Sequence, residues 1–296
     1  MNGRVFAGVE LGGTKCVAIL ARGPDDIIDR RTLPTTSPEQ TLGAIEAQLR
    51  DWRSAHGFAA LGIASFGPVD LDEQSPSYGQ IVRTSKPSWS GADVARRLER
   101  AAGVVTAFDT DVNGAAIAEM RWGSGRGFHD FAYITVGTGI GVGLIVNGKP
   151  TRGFAHSELG HIRPARFPKD DFAGCCPYHG DCVEGLASGP AIKARLGART
   201  FGEVSDDDPL WDRVGWSLAQ LCQVIVCAAA PHAIAIGGGV MDRQPHLIRR
   251  VNRMLEDSLN GYIPLPGEGA YVCPPELGAD AGPLGAIALA MSAVSA

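Results

Sequence analysis

The sequence has no excess of positive charge, since 27 Lys and Arg residues stand against 32 Asp and Glu residues and the net charge is −5. This balance gives no general electrostatic reason to bind nucleic acid or an anionic membrane surface. The 39 glycines show no G-X-Y period, which excludes collagen. Hydrophobic residues make up 45% of the 296 residues and charged residues 20%. These values exclude a disordered chain and predict one large or two ordinary globular domains.

The sequence also lacks a recognisable export signal, membrane span or disulfide framework. The N-terminal segment reaches Glu10 before a long apolar run forms. Residues 214–241 carry no Asp, Glu, Lys or Arg, but they contain two Gln, Pro231, His232 and three consecutive glycines. We interpret them as a buried helix followed by a strand and a glycine turn. The seven cysteines are odd in number and show no paired spacing, so we predict a soluble, cytoplasmic protein.

Strand patterns and helix patterns alternate along the chain, which predicts an α/β fold. We expect strands at 4–9, 15–20, 60–66, 104–108, 131–136, 141–146 and 233–236. We expect helices at 38–56, 91–102, 111–122, 209–230, 245–260 and from about 282. Residues 8–14 and 135–141 both pattern as a strand running into a glycine turn, which indicates either a duplication or two ordinary hairpins.

Three glycine turns are candidates for phosphate binding. Gly12-Gly13-Thr14-Lys15 offers backbone N–H groups, a hydroxyl and an ammonium, although on this turn alone a plain hairpin is the simpler interpretation. Residues 137–143 alternate glycine with other residues, and backbone approach to a phosphate would explain four glycines there. Gly237-Gly238-Gly239 follows a strand, where α/β proteins commonly receive nucleotides. Walker A and G-x-G-x-x-G patterns do not occur in these turns.

Two further groups of residues suggest chemistry. Asp109 and Asp111 follow a strand and open a helix, so either is an N-cap, a general base or a metal contact. His161, Cys176, His179 and Cys182 form a tetrahedral zinc set, which would be structural because it has four protein ligands. Cys175 is an alternative to Cys176, and unrelated turn residues are the alternative to a metal site.

Two glutamates flank the proposed zinc segment. Glu158 lies three residues before His161, and Glu184 lies two residues after Cys182. A metal held between them would fix both carboxylates, which could then accept from sugar hydroxyls. Taken singly, each is more simply an exposed surface charge.

Taken together in this order, these residues resemble the ROK family of sugar kinases, and most closely its bacterial fructokinase branch. The resemblance covers essentially the whole chain. The strings that carry it are GGTK at 12–15, DTDVNGA at 109–115, the 137–143 run, ELGH at 158–161 and AIGGGV at 235–240. The fructokinase branch is indicated by SFGPVDL at 65–71, SPSYG at 75–79, CPYHGDC at 176–182 and EGLASGP at 184–190.

The resemblance implies an actin-like (ribonuclease H-like) fold, duplicated into two α/β domains with a central cleft for ATP. The smaller domain would be residues 1–112 with about 281–296, and the larger 113–280. Asp111 would be the catalytic base. Nucleotide would be bound by Gly12, Gly13, Thr14, Lys15, Gly137, Thr138, Gly139, Gly237, Gly238 and Gly239. Sugar would be bound by Gly67, Pro68, Thr110, Asp111, Glu158, His161 and Glu184, and zinc by His161, Cys176, His179 and Cys182.

Two departures from the wider family bear on the substrate. Many members carry Asp where this chain has Glu10, and the fructokinase branch resembles this chain in using Glu. Glucokinases carry Asn where this chain has Thr110, and the Asn contacts a sugar hydroxyl there. We therefore predict an ATP- and Mg²⁺-dependent fructokinase that makes fructose 6-phosphate, with mannose, glucose or another hexose as the alternative substrate.

The resemblance also bears on partners. It suggests a homodimer that acts on a small sugar and binds neither nucleic acid nor membrane. The alternative class is a sugar-sensing ROK repressor, which needs an N-terminal helix-turn-helix. Only three residues precede the first predicted strand, so we disfavour that class.

Overall fold

The computed structural model describes residues 3–266 and 270–294 and groups the chain into two compact units. Unit 1 comprises Met1–Arg126, Thr151–His156 and Ala279–Ala296, and unit 2 comprises Gly127–Pro150 and Ser157–Gly278. The domain boundaries given above stay a prediction, and their outermost residues 1, 2, 295 and 296 lie outside the described part. The compact units divide the chain later than residue 112, after the helix that begins at Asp111.

Ten strands and nine α-helices occur among the described residues. The strands are β1 Phe6–Leu11, β2 Lys15–Gly23, β3 Asp26–Pro34, β4 Ala60–Ser65, β5 Val105–Thr110, β6 Phe131–Val136, β7 Ile140–Val146, β8 Lys149–Pro150, β9 Ile234–Gly237 and β10 Val272–Cys273. The helices are α1 Pro38–Ala55, α2 Ala95–Ala102, α3 Asp111–Trp122, α4 Val183–Ala187, α5 Gly189–Leu196, α6 Pro209–Ala229, α7 Gly239–Arg243, α8 Leu247–Leu259 and α9 Ala281–Ala293.

The sheets of the two units have the same topology. In unit 1 the order is β3-β2-β1-β4-β5, and in unit 2 it is β8-β7-β6-β9-β10. In both sheets the central strand pairs antiparallel with the strand that follows it and parallel with the strand on its other side. The glycine turns at 12–15 and 137–139 join equivalent strands. The repeated pattern at 8–14 and 135–141 is therefore a structural duplication of the strand pair and its turn.

Helix α9 packs on the sheet of unit 1 at very short distance. A Cβ on Gly62 in β4 would collide with the backbone of Ala286. Where α9 meets α3, a Cβ on Gly285 would lie 2.6 Å from the carbonyl oxygen of Gly114. Both contacts require glycine, since real Cβ atoms do not approach backbone this closely.

The core of unit 2 is built on the long helix α6. Trp211, Val214, Leu218 and Ile225 are fully buried at helical spacing along one face. Pro209 begins the helix, where its missing N–H is tolerated, and the Asp208 side chain accepts from the N–H of Leu210 at 2.9 Å. No helix in the described ranges is long and apolar enough to cross a membrane.

Most predicted elements are confirmed, with differences at exposed or short segments. Helix α3 has the predicted bounds, and Ser37 caps α1 by accepting from the N–H of Gln40. Strand β3 was not predicted, because it is largely exposed and carries four charged residues. Helix α2 begins at Ala95 instead of 91, and the predicted helix at 245–260 begins at Leu247, so Pro245 is not its first residue.

Candidate active site

The turn at Gly12–Lys15 is held in place by hydrogen bonds from Thr35, which follows β3. The N–H of Gly12 donates to Lys15 O at 3.0 Å, and a Cβ on Gly12 would lie 2.7 Å from that oxygen. Thr35 donates its hydroxyl to Gly12 O at 2.7 Å and its N–H to Thr14 O at 3.0 Å. Gly13, Thr14 and Lys15 are exposed. The turn thus presents its donors on a braced backbone.

The turn at Gly137–Gly139 is held in a different way. The N–H of Gly137 donates to Gly139 O at 2.9 Å, and Gly137 O accepts from the N–H of Gly189 at 2.8 Å. Glu184 accepts from the N–H of Ile140 at 3.1 Å, and a Cβ on Gly139 would lie 2.6 Å from Glu184 Oε2. The structure therefore brings Glu184, a predicted sugar ligand, against the second predicted phosphate turn.

The third glycine run closes β9 beside the strand that leads into the second turn. Gly238 has a φ of 93°, and a Cβ on it would lie 2.7 Å from Val136 O. The helix α7 begins at Gly239. Gly238 thus has a positive φ and lies close to the backbone of Val136, and both conditions favour glycine. The two predicted nucleotide turns of unit 2 are neighbours.

Asp111 is the first residue of α3, at the carboxyl end of β5. Its carboxylate accepts from the N–H of Val112 at 2.9 Å. Burial raises the pKa of Asp111 to about 6. Burial and the charge of Asp111 together raise the pKa of Glu10 to about 7. Two carboxyl groups with pKa values raised into the working range of enzymes mark a candidate catalytic site.

Helix α3 is capped by Thr110, and not by Asp109 or Asp111. The N-cap of α3 is Thr110, whose hydroxyl accepts from the N–H of Asn113 at 3.2 Å and is buried. Asp109 is also buried, and it accepts from Asn113 Nδ2 at 2.8 Å and pairs with Arg152. These contacts lock the strand end from which Asp111 projects.

The predicted sugar-binding turn at Gly67 and Pro68 contacts a histidine that the sequence analysis missed. His156 is buried, and its Nε2 accepts from the N–H of Val69 at 3.0 Å. An accepting Nε2 leaves Nδ1 to carry the ring N–H. The short segment Thr151–His156 of unit 1 therefore supplies both Arg152 and His156 to this region.

The four predicted zinc ligands converge. Their candidate ligand atoms all lie within 4.8 Å of one another. Cys176 Sγ is 3.7 Å from His161 Nδ1 and 3.8 Å from His179 Nδ1, and Cys182 Sγ is 3.5 Å from His161 Nδ1. With Zn–S of about 2.3 Å and Zn–N of about 2.05 Å, a tetrahedral S···N edge is about 3.6 Å. The set fits zinc, and the described cluster includes Cys176 and not the exposed Cys175.

The two predicted sugar glutamates lie next to the cluster in the chain. His161 ends a short 3₁₀ turn, and its N–H donates to Glu158 O at 3.0 Å. Cys182 is the N-cap of α4, with its Sγ accepting from the N–H of Gly185 at 3.5 Å, and Glu184 lies in the first turn of that helix. Glu158 is exposed and Glu184 is half-buried. Both carboxylates are therefore within three residues of a cluster ligand.

Three residues of this region escaped the sequence analysis. Thr35, Arg152 and His156 act on partners 23, 43 and 87 residues away in sequence. None lies in a glycine or acid motif, so only the folded contacts reveal them. The one local feature of the sequence that could have drawn attention to His156 is its position two residues before Glu158.

The duplicated mixed sheet, the glycine turns at equivalent strand ends and the carboxyl of Asp111 define a protein of the actin-like fold. The ROK family profile matches residues 6–293, and the chain belongs to the ROK family. A fructokinase of Zymomonas mobilis is 41% identical over 294 residues, which cover 98% of this chain and 97% of that protein.

Two solved structures are similar over nearly the whole chain. The ROK hexokinase of Thermus thermophilus has a TM-score of 0.78 and 27% identity, with 98% of this chain and 99% of that one covered. A ROK family glucokinase from Streptomyces griseus, solved with glucose and AMPPNP, has a TM-score of 0.77 and 26% identity, with 97% and 99% covered. These similarities agree with the duplicated α/β architecture described above.

Proposed function

We propose that this protein is an ATP-dependent fructokinase that transfers a phosphoryl group to the 6-hydroxyl of fructose. The observation that carries the proposal is the 41% identity with a fructokinase over nearly the full length of both chains. The raised pKa of Asp111 supports it, because a general base works best when its pKa lies near the operating pH.

Asp111 is the residue that we assign as the base. Its carboxylate takes the proton from the attacking sugar hydroxyl as the oxygen bonds to the γ-phosphorus, and the bond to the ADP oxygen breaks. Asp109, Asn113 and Arg152 fix the strand end and the first turn of α3. Thr110 closes the helix N-terminus. Such positioning contributes to the rate because the base does not have to be reoriented for each turnover.

The glycine turns are the residues that we assign to the nucleotide. In unit 1 these are Gly12, Gly13, Thr14 and Lys15, and in unit 2 they are Gly137, Thr138, Gly139, Gly237, Gly238 and Gly239. The exposed residues Gly13, Thr14, Lys15 and Thr138 of these braced turns suit phosphate oxygens, because donors held in place need no reorganisation when charge develops. Mg²⁺ would enter as part of the nucleotide substrate and neutralise charge on its phosphates.

The sugar-binding residues are assigned from the resemblance to the ROK family. Gly67, Pro68, Thr110 and Asp111 belong to unit 1, and Glu158, His161 and Glu184 to unit 2. Glu184 uses Oε2 on the N–H of Ile140, which orients the carboxylate. The hydroxyl oxygen of Thr110 already accepts the capping hydrogen bond, so we assign its O–H, which can still donate, to the sugar.

The cluster of His161, Cys176, His179 and Cys182 is assigned to one structural Zn²⁺. Two thiolates and two imidazoles at tetrahedral spacing support this metal. The ion would hold the segment around Cys176–Gly180, where the two backbones already exchange hydrogen bonds of 3.1 and 2.9 Å. With four protein ligands it has no open position for substrate.

We further propose a cytoplasmic homodimer. All seven cysteines are free thiols, which suits a reducing compartment. The dimer rests on the resemblance to the ROK family. Light scattering on the purified protein would give a mass near twice 31.0 kDa, and a mass near the single-chain value would contradict it.

Kinetics across a panel of hexoses test the substrate. We expect the highest kcat/KM with fructose among fructose, mannose, glucose and N-acetylmannosamine, with Mg–ATP saturating. Glucose is the second candidate, because the structurally similar Streptomyces griseus protein is a glucokinase solved with glucose. A higher kcat/KM for glucose than for fructose would contradict the assignment of fructose as the substrate but not the assignment as a sugar kinase.

A further inference from the structure

Lys86 reaches the first glycine turn from a distant part of unit 1. Its Nζ donates to Gly13 O at 2.6 Å, across 73 residues of sequence. Gly13 lies in the middle of the turn that we assign to nucleotide phosphates. Lys86 is half-buried and belongs to no motif identified in the sequence.

The segment that carries Lys86 is anchored. Trp89 is fully buried, its Nε1 donates to Thr36 O at 2.8 Å, and its ring meets the edge of Phe66 with centroids 5.2 Å apart. The N–H of Lys86 donates to Thr84 Oγ1 at 3.2 Å. The backbone beside Lys86 is therefore fixed, so that only side-chain freedom is lost when Lys86 bonds to Gly13 O.

The ammonium of Lys86 retains unused donors. It has three N–H groups, and Gly13 O accepts one of them. Between residues 3–266 and 270–294, no carboxylate lies within ion-pair distance of Lys86. A Cβ on Gly13 would meet no atom within 4 Å, so the space beside this residue is open to a ligand. Lys15, the other cation of the turn, is exposed.

We propose that Lys86 is a second phosphate-binding cation, which contacts the phosphates of the nucleotide together with Lys15. This inference rests on the proposed nucleotide role of residues 12–15. Bonding to the Gly13 carbonyl holds the ammonium at the turn, and the two remaining N–H groups point charge-assisted hydrogen bonds at phosphate oxygens. Lys86 is thus a further catalytic residue for phosphoryl transfer.

Calorimetric titration with Mg–AMPPNP and with adenosine tests this role. Lys86→Met should weaken Mg–AMPPNP binding about 10-fold or more, as expected for loss of a hydrogen bond to a charged group, and should leave adenosine binding unchanged. Lys86→Gln keeps a donor for Gly13 O without the charge, so it should resemble Lys86→Met. Lys86→Arg should stay within a few-fold of wild type.

Lys149→Met is the matched control, since Lys149 is an exposed lysine of unit 2 in β8 and has no assigned role. It should leave both titrations unchanged. The kinetic counterpart is kcat/KM for ATP, which should fall at least as much as nucleotide affinity in Lys86→Gln.

Two results would overturn the inference. Equal weakening of adenosine and Mg–AMPPNP would make Lys86 a support of the turn only, and wild-type Mg–AMPPNP affinity in Lys86→Gln would remove it from the phosphates altogether. The failure of the proposed function is separable. Wild-type protein that binds Mg–AMPPNP but does not phosphorylate fructose would contradict the assignment of the sugar. The difference between Mg–AMPPNP binding and adenosine binding in the Lys86 variants would still test the role of Lys86.

Discussion

The two units share a sheet and differ in what they attach to it. Each has five strands in the same order, with a glycine turn after the central strand. In unit 1 the second neighbour strand, β3, runs for nine residues, whereas its counterpart β8 has two. Unit 1 places Lys15 and Lys86 at its turn and Asp111 at a strand end. Unit 2 places Glu184 at its turn and carries the Cys/His cluster in a long irregular segment.

The two units share the strands and the glycine turns, whereas the side chains that contact these turns come from the segments that connect the strands. The turn of unit 1 is braced by Thr35 from the loop after β3, and the turn of unit 2 by Glu184 and Gly189 from α4 and α5. Unit 1 therefore carries the carboxyl groups with raised pKa values and the two lysines at its turn, and unit 2 carries the Cys/His cluster. Each prediction below tests one side of this contrast.

The largest effect should follow a change in unit 1. Asp111→Asn should lower kcat by about 100-fold or more, because it removes the general base while keeping size and shape. Affinity for sugar and nucleotide, measured by calorimetry, should stay within a few-fold. Asp51→Asn, at an exposed position on α1, serves as the control. A kcat within a few-fold of wild type would remove Asp111 from this role.

Asp111 should also impose an acid limb on the pH profile. The base acts when deprotonated, so kcat/KM for the sugar should fall as the pH drops through about 6, by about tenfold per unit below it. Glu10, with a pKa raised to about 7, titrates nearby and broadens the limb. The residual activity of Asp111→Asn should lack the limb. A limb near the pKa of an ordinary exposed carboxyl would contradict the burial of Asp111.

In unit 2 the comparable test is the metal cluster. Cys182→Ser should lose the bound zinc, lower the melting temperature by about 10 °C, and weaken sugar binding more than nucleotide binding. The physical reason is that Glu158 and Glu184 each lie within three residues of a cluster member, whereas Glu184 contacts only one of the three nucleotide turns, the one at Gly137–Gly139. Elemental analysis should give about one zinc per chain in the wild type.

Cys175→Ser is the matched control for the metal, because Cys175 is adjacent to the cluster and exposed. It should keep zinc, stability and activity. Metal-free wild-type protein with unchanged melting temperature and activity would reduce the cluster to a turn that contains cysteines.

The smallest effects should come from glycine pairs in the two turns. Gly12→Ala and Gly139→Ala would place a Cβ 2.7 Å from Lys15 O and 2.6 Å from Glu184 Oε2, so each should lower the melting temperature by about 5 °C. Gly13→Ala and Gly137→Ala meet no atom within 4 Å and should leave it unchanged.

The same pairs separate folding from nucleotide binding. If phosphates lie against Gly13 and Gly137, then Gly13→Ala and Gly137→Ala should weaken Mg–AMPPNP binding while keeping the melting temperature of the wild type. Calorimetry with thermal unfolding on all four variants checks this. Unchanged nucleotide affinity in both open-position variants would remove the turns from the phosphate site.

The sequence predicted the buried framework better than the exposed parts. Strands β1, β4 and β6 are apolar runs whose period and bounding glycines identify them. Apolar and polar residues do not alternate clearly in strand β3, and it carries charged side chains because its outer edge is exposed. Its strand conformation is set by the pairing with β2. Helix α8 was predicted to start too early because α7 and a turn intervene between the glycine run and Leu247.

The convergence of the Cys/His cluster was predictable because most of its members are local in sequence. The C-x₂-H-x₂-C spacing of Cys176, His179 and Cys182 brings three ligands together, and His161 joins them from 15 residues before Cys176. The contacts of Lys86 and His156 were not predictable, because each is a single residue whose partner lies far away in the sequence. No spacing rule could connect Lys86 with Gly13.

The identity of the product tests the central claim most directly. Purified protein incubated with Mg–ATP and fructose should yield ADP and fructose 6-phosphate in equal amounts, with the phosphate on O6 seen by ³¹P and ¹³C NMR. Asp111→Asn at the same concentration should yield almost none. ADP formed without a sugar phosphate, or phosphate attached at another hydroxyl, would contradict the account.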